Sequence, residues 1–242
     1  GGADTTNDIV VTITTINDID GSIVDFDFDG TGRKGHFIAL PNDNGNGEYS
    51  IDGQTWSTLT LPDVGAGNSY ANVATGLIDD GSSTFKQSAA VAVSQGGDAA
   101  ITTDGISWSL SSLPGTFATA GATDVAFGQI SDTIGRFVAI SANDSEVIYS
   151  DNGGASWVSA GTVLTGTNYV AVTFGIKLFV AIRASTNEVM YSSDGVTWAG
   201  GANIPNAAWV DIKWGNGRFL AIASDGCVAE NMSEGKIKSN VK

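Results

Sequence analysis

Tyr149-Ser150-Asp151-Asn152-Gly153-Gly154-Ala155-Ser156-Trp157 decides the fold, because the chain repeats the phrase three more times. The other copies are Tyr49-Ser50-Ile51-Asp52-Gly53-Gln54-Thr55-Trp56, Ile101-Thr102-Thr103-Asp104-Gly105-Ile106-Ser107-Trp108 and Tyr191-Ser192-Ser193-Asp194-Gly195-Val196-Thr197-Trp198. Each reads as a hairpin turn, since Asp-Gly or Asn-Gly between strand-like runs supplies the positive φ that only Gly adopts cheaply. Successive tryptophans stand 52, 49 and 41 residues apart, close to the ~40–50-residue period of radially repeated β-sheet blades.

Working outward, a second phrase repeats in phase with the first. Phe37-Ile38-Ala39-Leu40, Ala90-Val91-Ala92-Val93, Phe137-Val138-Ala139-Ile140, Phe179-Val180-Ala181-Ile182 and Phe219-Leu220-Ala221-Ile222 are short apolar strands. A further strand is expected ahead of each, at 23–28, 70–75, 122–127, 169–174 and 209–214. The unit is therefore inner strand, second strand, third strand ending in the turn, and outer strand opening with Trp. The sequence predicts an all-β, single-domain, five-bladed β-propeller of four-stranded blades over 22–62, 69–114, 121–164, 168–205 and 208–235. The last unit has Ser233-Glu234-Gly235 where a turn belongs but no following Trp, and 236–242 reads as a polar tail. The β-branched run 9–16 belongs to no blade, so it is expected to supply the missing outer strand and close the ring.

The repeated turns resemble Asp-boxes, also called BNR repeats, with the pattern Ser/Thr-x-Asp-x-Gly-x-Ser/Thr-Trp. The third copy has that spacing with Asn152 replacing Asp, and the others are one residue shorter. The resemblance implies structural roles for Asp52, Trp56, Asp104, Trp108, Asn152, Trp157, Asp194 and Trp198, because the box is a folding element of propellers and not a catalytic motif. The short boxes, Phe-Val-Ala-Ile strands and Gly-Asn-Gly-Arg-Phe hairpin also resemble repeat proteins of bacteriophage tails and virion surfaces. That likeness implies a virion-surface or extracellular setting and a place in a larger assembly.

Composition narrows the partners. A net charge of −15 argues against nucleic acid, which calls for a basic footprint, and against anionic membrane surfaces. No apolar run approaches the ~18 residues of a membrane span, which predicts a soluble chain. Cys227 is the one cysteine, so no intramolecular disulfide is available. Gly1-Gly2-Ala3, with no initiator methionine and no signal peptide, reads as a processed or truncated end.

A repeat protein separates scaffold from function by phase: a residue recurring in every blade is scaffold. Glu48, Glu146 and Glu188 all open third strands and are scaffold by this rule. Arg136 and Arg218 precede the second-strand Phe and read as solvated strand-end charges. Asp-box propellers include sialidases, whose carboxylate clamp needs converging arginines. Here only Arg183 falls on the mouth opposite the turns, with Arg33, Arg136 and Arg218 at the other end, so the clamp is missing. A glycosidase needs two carboxylates ~5–9 Å apart, and that secreted carbohydrate-active alternative stays open.

Asp25, Asp124 and Asp211 are expected at equivalent inner-strand positions, forming a polar ring in the channel. Asn72 and Ala171 take that position in the second and fourth blades, and two residues before it stand Tyr70, Tyr169 and Trp209; aromatic faces beside carboxylates suit a sugar-binding surface. His36 lacks Cys or His partners, and no zinc pattern, phosphate-cradling loop or nucleophile elbow occurs. No cofactor and no metal are expected. The sequence thus predicts a non-enzymatic structural or adhesion module that presents the Tyr70–Tyr169–Trp209 mouth to a surface glycan or a neighbouring subunit.

Overall fold

The computed structural model of the protein describes residues 16–26, 34–41, 46–66, 68–79, 86–201, 203–232 and 236–240. Five antiparallel four-stranded sheets stand round a central channel, the five-bladed propeller expected. The first blade comprises β1 (Ile16–Phe26), β2 (Lys34–Pro41), β3 (Gly47–Ser50) and β4 (Ser57–Leu59). The second comprises β5 (Tyr70–Asp79), β6 (Lys86–Ser94), β7 (Asp98–Thr102) and β8 (Ser109–Ser112), followed by the one-turn helix α1 (Phe117–Ala120). The third holds β9 (Asp124–Gln129), β10 (Gly135–Ile140), β11 (Glu146–Ser150) and β12 (Val158–Thr162). The fourth holds β13 (Tyr169–Gly175), β14 (Leu178–Arg183), β15 (Val189–Ser192) and β16 (Ala199–Gly200). The last holds β17 (Trp209–Gly215), β18 (Arg218–Ala223), β19 (Val228–Met232) and β20 (Lys236–Asn240).

Two expectations are corrected at the ends. The edge of β19 meant for 9–16 is taken by β20, which pairs from Met232↔Lys236 to Val228↔Asn240. The two strands pair directly, without a Trp; residues 9–15 lie outside the described residues. The first inner strand also starts earlier than 23. Ile16 opposes Pro41 and, after a bulge, Asp18 opposes Leu40, the register of Tyr70↔Ser94 and Asn72↔Val93. Asp25 instead opposes Gly35 at the far end of the strand.

The repeated turn closes on itself in every copy. Ser50 Oγ accepts the N–H of Gly53 at 2.8 Å and donates to Asp52 Oδ1, which accepts the N–H groups of Gln54 and Thr55 at 2.8 and 2.7 Å. Those backbone donors, Thr55 first, hold the Asp52 carboxyl at about 2. Thr102–Asp104 and Ser192–Asp194 repeat the pattern. In the longer copy Asn152 Oδ1 accepts Ser156 N–H, and Gly154 replaces the shorter turn's Gly as donor to Ser150 Oγ. Trp157 is buried and the other three turn tryptophans are half-buried just ahead of the outer strands. Trp108 and Trp198 donate back to Gly105 and Gly195.

Blades join through a second device. Gly76 of the second blade receives the Phe127 ring of the third, Gly128 receives Phe174, and Gly175 receives Trp214. A Cβ at Gly175 would stand 2.2 Å from Trp214, so glycine is required for this approach. Each seated ring also tilts against its own second-strand Phe, with centroids 4.6–4.9 Å apart. Arg136 strengthens one seam. Far from being solvated, it is 9% exposed, bidentate to Asp151 at 2.6 Å and donating to Asp194 O in the next blade's turn. Its guanidinium lies 4.2 Å from the Tyr149 ring centre.

Candidate functional site

Tyr70, Tyr169 and Trp209 open their inner strands at one phase, as expected, but all three are sealed in. They are 0%, 0% and 1% exposed. The Tyr70 hydroxyl donates to Pro62 O at 2.7 Å and that of Tyr169 to Thr165 O at 3.2 Å. Trp209 Nε1 donates to Thr186 O and Pro205 O. Burial, with Glu188 nearby, pushes the Tyr169 hydroxyl up to about 12. These rings pin the loop that leads into each inner strand onto the sheet. No aromatic face remains for a sugar, which corrects the stacking expectation. Arg183 sits at this same mouth, over the Tyr169 ring at 5.6 Å, and is held by Glu188 at 2.6 Å and by Thr167 O.

One step deeper, Asn72, Asp124, Ala171 and Asp211 occupy one register position, opposite Val93, Ile140, Ile182 and Ile222. Asp25 does not join them; Asp18 holds that position in the first blade. Asp124 is 1% exposed. Its Oδ1 accepts its neighbour Val125 N–H at 2.8 Å, and its Oδ2 reaches across the seam to Val172 N–H at 2.6 Å. Burial pushes this carboxyl up to about 7, against the pull of Lys213 and the backbone donors and with a further push from Asp211. Asp211 accepts Ile212 N–H at 2.7 Å and lies 3.9 Å from Lys213 Nζ. Asn72 Oδ1 is buried without a hydrogen-bond partner. Both Asp124 oxygens are thus engaged by backbone inside the wall, while Asp211 and Lys213 stand partly exposed on a neighbouring blade.

An open volume lies toward the other end, where inner strands turn into second strands and the repeated turns also stand. A channel of about 510 Å³ is walled there by inner strands of four blades, with Thr75, Phe127, Phe174, Lys213 and Trp214 among its lining. Lys213 occupies the phase that holds Ala74, Ala126 and Thr173 in the preceding blades, as their cross-strand partners Val91, Val138, Val180 and Leu220 show. It places a cation beside aromatic edges and Asp211 at the channel wall. Lys213 is absent from the candidates expected above, although its break in phase one residue beyond Ile212 is visible in the sequence. Among the described residues no group of three His, Cys, Asp or Glu side chains is placed to hold a metal ion.

No protein-family model matches the chain, and no curated protein matches it significantly. Solved structures do. YCF48 bound to D1 peptide is 18% identical with a TM-score of 0.59, over 93% of this chain and 67% of that one. A catalytically inactive virginiamycin B lyase from Staphylococcus aureus, solved with quinupristin, is 12% identical with a TM-score of 0.61, over 85% and 66%. BBS1N in complex with ARL6DN is 11% identical with a TM-score of 0.61, over 93% and 69%. These likenesses are of fold, and the chain spans about two thirds of the length of the solved chains it matches.

Proposed function

We propose that the protein is a non-catalytic binding module that engages a protein or peptide partner at the channel mouth on the repeated-turn side, around Lys213 and Trp214. The observation that carries this reading is the channel itself: a concave site with apolar walls and one phase-breaking cation, the composition of a recognition site. The neighbouring fold supports it, since YCF48 was solved with a peptide and BBS1N with a protein. The acid with the most perturbed protonation, Asp124, is 1% exposed and bonded through both oxygens, which favours a wall-building role over proton transfer. A virion-surface or extracellular assembly is the setting that the acidic chain and its Asp-box-like turns suit, and a neighbouring subunit of that assembly fits the site better than a glycan does.

Cross-linking of the protein in its native assembly, read by mass spectrometry, should place the partner at Lys213. Calorimetry with that partner should show Lys213→Glu weakening binding about tenfold or more, with Trp209 variants acting only through stability. Cross-links confined to the Tyr70 mouth would move the site. Release of sugar from a glycan panel, abolished by Asp211→Asn, would overturn the non-catalytic reading.

A further inference from the structure

Two neighbouring blades close the hairpin between inner and second strand with the same backbone and different residues. In the last blade Gly215 opposes Arg218, and Asn216 and Gly217 between them take φ of 49° and 75°. In the fourth, Gly175 opposes Leu178, and Ile176 and Lys177 take φ of 43° and 62°. A two-residue hairpin turn with positive φ at both positions suits Asn-Gly, which the last blade has. A β-branched side chain is strained there, because its Cβ crowds the backbone in the left-handed region. Among the described residues Ile176 is the one β-branched residue with positive φ. No packing offsets that strain, since Ile176 is 60% exposed.

The charge beside it is also set apart. Arg136, Arg183, Lys213 and Arg218 each have a carboxylate partner 2.6–3.9 Å away. Lys177 is exposed and pairs with no carboxylate among the described residues, on a chain of net charge −15. The tip borders the channel. Trp214 packs over Gly175, the residue before Ile176, and Phe174 and Trp214 both line the opening. Ile134, 38% exposed, stands on the corresponding connection of the third blade. The mouth therefore carries an apolar strip of Phe174, Trp214 and Ile176, with Lys213 and Lys177 next to it in the chain.

We propose that the Ile176–Lys177 tip is a specificity element of the channel mouth, and that the partner segment it grips is an extended, acidic peptide. An apolar side chain of that segment lies on Ile176 and Trp214, and its carboxylates face Lys177 and Lys213. The inference rests on the channel mouth being the binding site. A cation left unpaired in an acidic chain selects opposite charge on its partner. A strained isoleucine that faces solvent gains on binding the burial that folding does not give it.

Panning a phage-displayed library of random linear peptides against the protein tests this. Enriched peptides should combine Asp or Glu with Leu, Ile or Phe. A synthetic peptide of the enriched sequence should bind the double variant Ile176→Asn with Lys177→Gly at least about tenfold more weakly than it binds the parent. That variant carries the last blade's own turn, so its melting temperature should rise by about 2–4 °C as the strain is relieved. A library that enriches nothing, enrichment of basic or uncharged sequences, a double variant that binds the peptide like the parent, or one that melts no higher than the parent overturns the proposal. If Lys213→Glu weakens the peptide and the tip variant does not, the role of the tip falls and the channel reading stands. If neither variant weakens it, both fall.

Discussion

The third and last blades share one strand plan and differ in what lies on either side of it. Strand β10, Gly135–Ile140, is buried at all six positions, whereas β18, Arg218–Ala223, alternates between buried and exposed. The sequences Phe137-Val138-Ala139-Ile140 and Phe219-Leu220-Ala221-Ile222 are nearly interchangeable in hydropathy. Strand identity is therefore set by sequence, but burial is set by neighbours: a blade is half-finished until a second sheet covers it.

That comparison breaks most visibly in paired variants. Ile140→Ala should destabilise by about 2–5 kcal/mol, the usual result of emptying a core site, while Ile222→Ala should stay within about 0.5 kcal/mol in dilute solution. Equal losses in denaturant titrations would show that the last blade is covered after all. Next in size, Gly175→Ala drives a Cβ into Trp214, and about 1–3 kcal/mol is expected from overpacking. Gly215→Ala meets nothing within 4 Å and should leave the midpoint nearly unchanged. Smaller again, Ser192→Ala should cost about 1 kcal/mol, because Ser192 is 2% exposed and its Oγ satisfies the Gly195 N–H.

A different kind of effect is one of pH. Burial raises Asp124 from 3.8 to about 7, so the folded state holds a proton that the unfolded chain has already released. Asp124 therefore lowers stability as pH rises from about 4 through 7. At Asp194, burial pushes the carboxyl up but the Thr197 and Val196 backbone donors outweigh it, and the result lies below the ordinary value. Its contribution is present above about pH 4 and disappears as pH falls. Melting temperature plotted against pH should thus decline from pH 4 to 7 in the parent and flatten in Asp124→Asn. An unchanged slope would place the perturbed group elsewhere.

Blade number and the middle three repeat phases were legible in the sequence because turn chemistry and apolar strands recur together. The first blade was read out of phase. Asp25-Phe26-Asp27-Phe28-Asp29 alternates more regularly than Ile16-Asn17-Asp18-Ile19, the true counterpart of Trp209-Val210-Asp211-Ile212. The β20 strand is not legible in the sequence because it has one apolar residue and no Trp; beside β19, backbone pairing suffices. The aromatic phase of Tyr70, Tyr169 and Trp209 was found, but its direction was not, since a phenol bonded to a loop carbonyl and one offered to a ligand have the same spacing. Lys213 shows the reverse: its break in phase is present in the sequence, but only the structure sets it beside the channel.

Every sheet is built from four consecutive strands, with none borrowed from another blade. During synthesis, a blade such as Asp124–Thr162 needs no residue still inside the ribosome once its last strand has emerged. Each sheet then forms by short loop closures and stacks on the finished one before it, a growth order suited to local contacts. The same modularity lets a duplication or loss of one repeat lengthen or shorten the molecule by a whole blade without unpairing any strand.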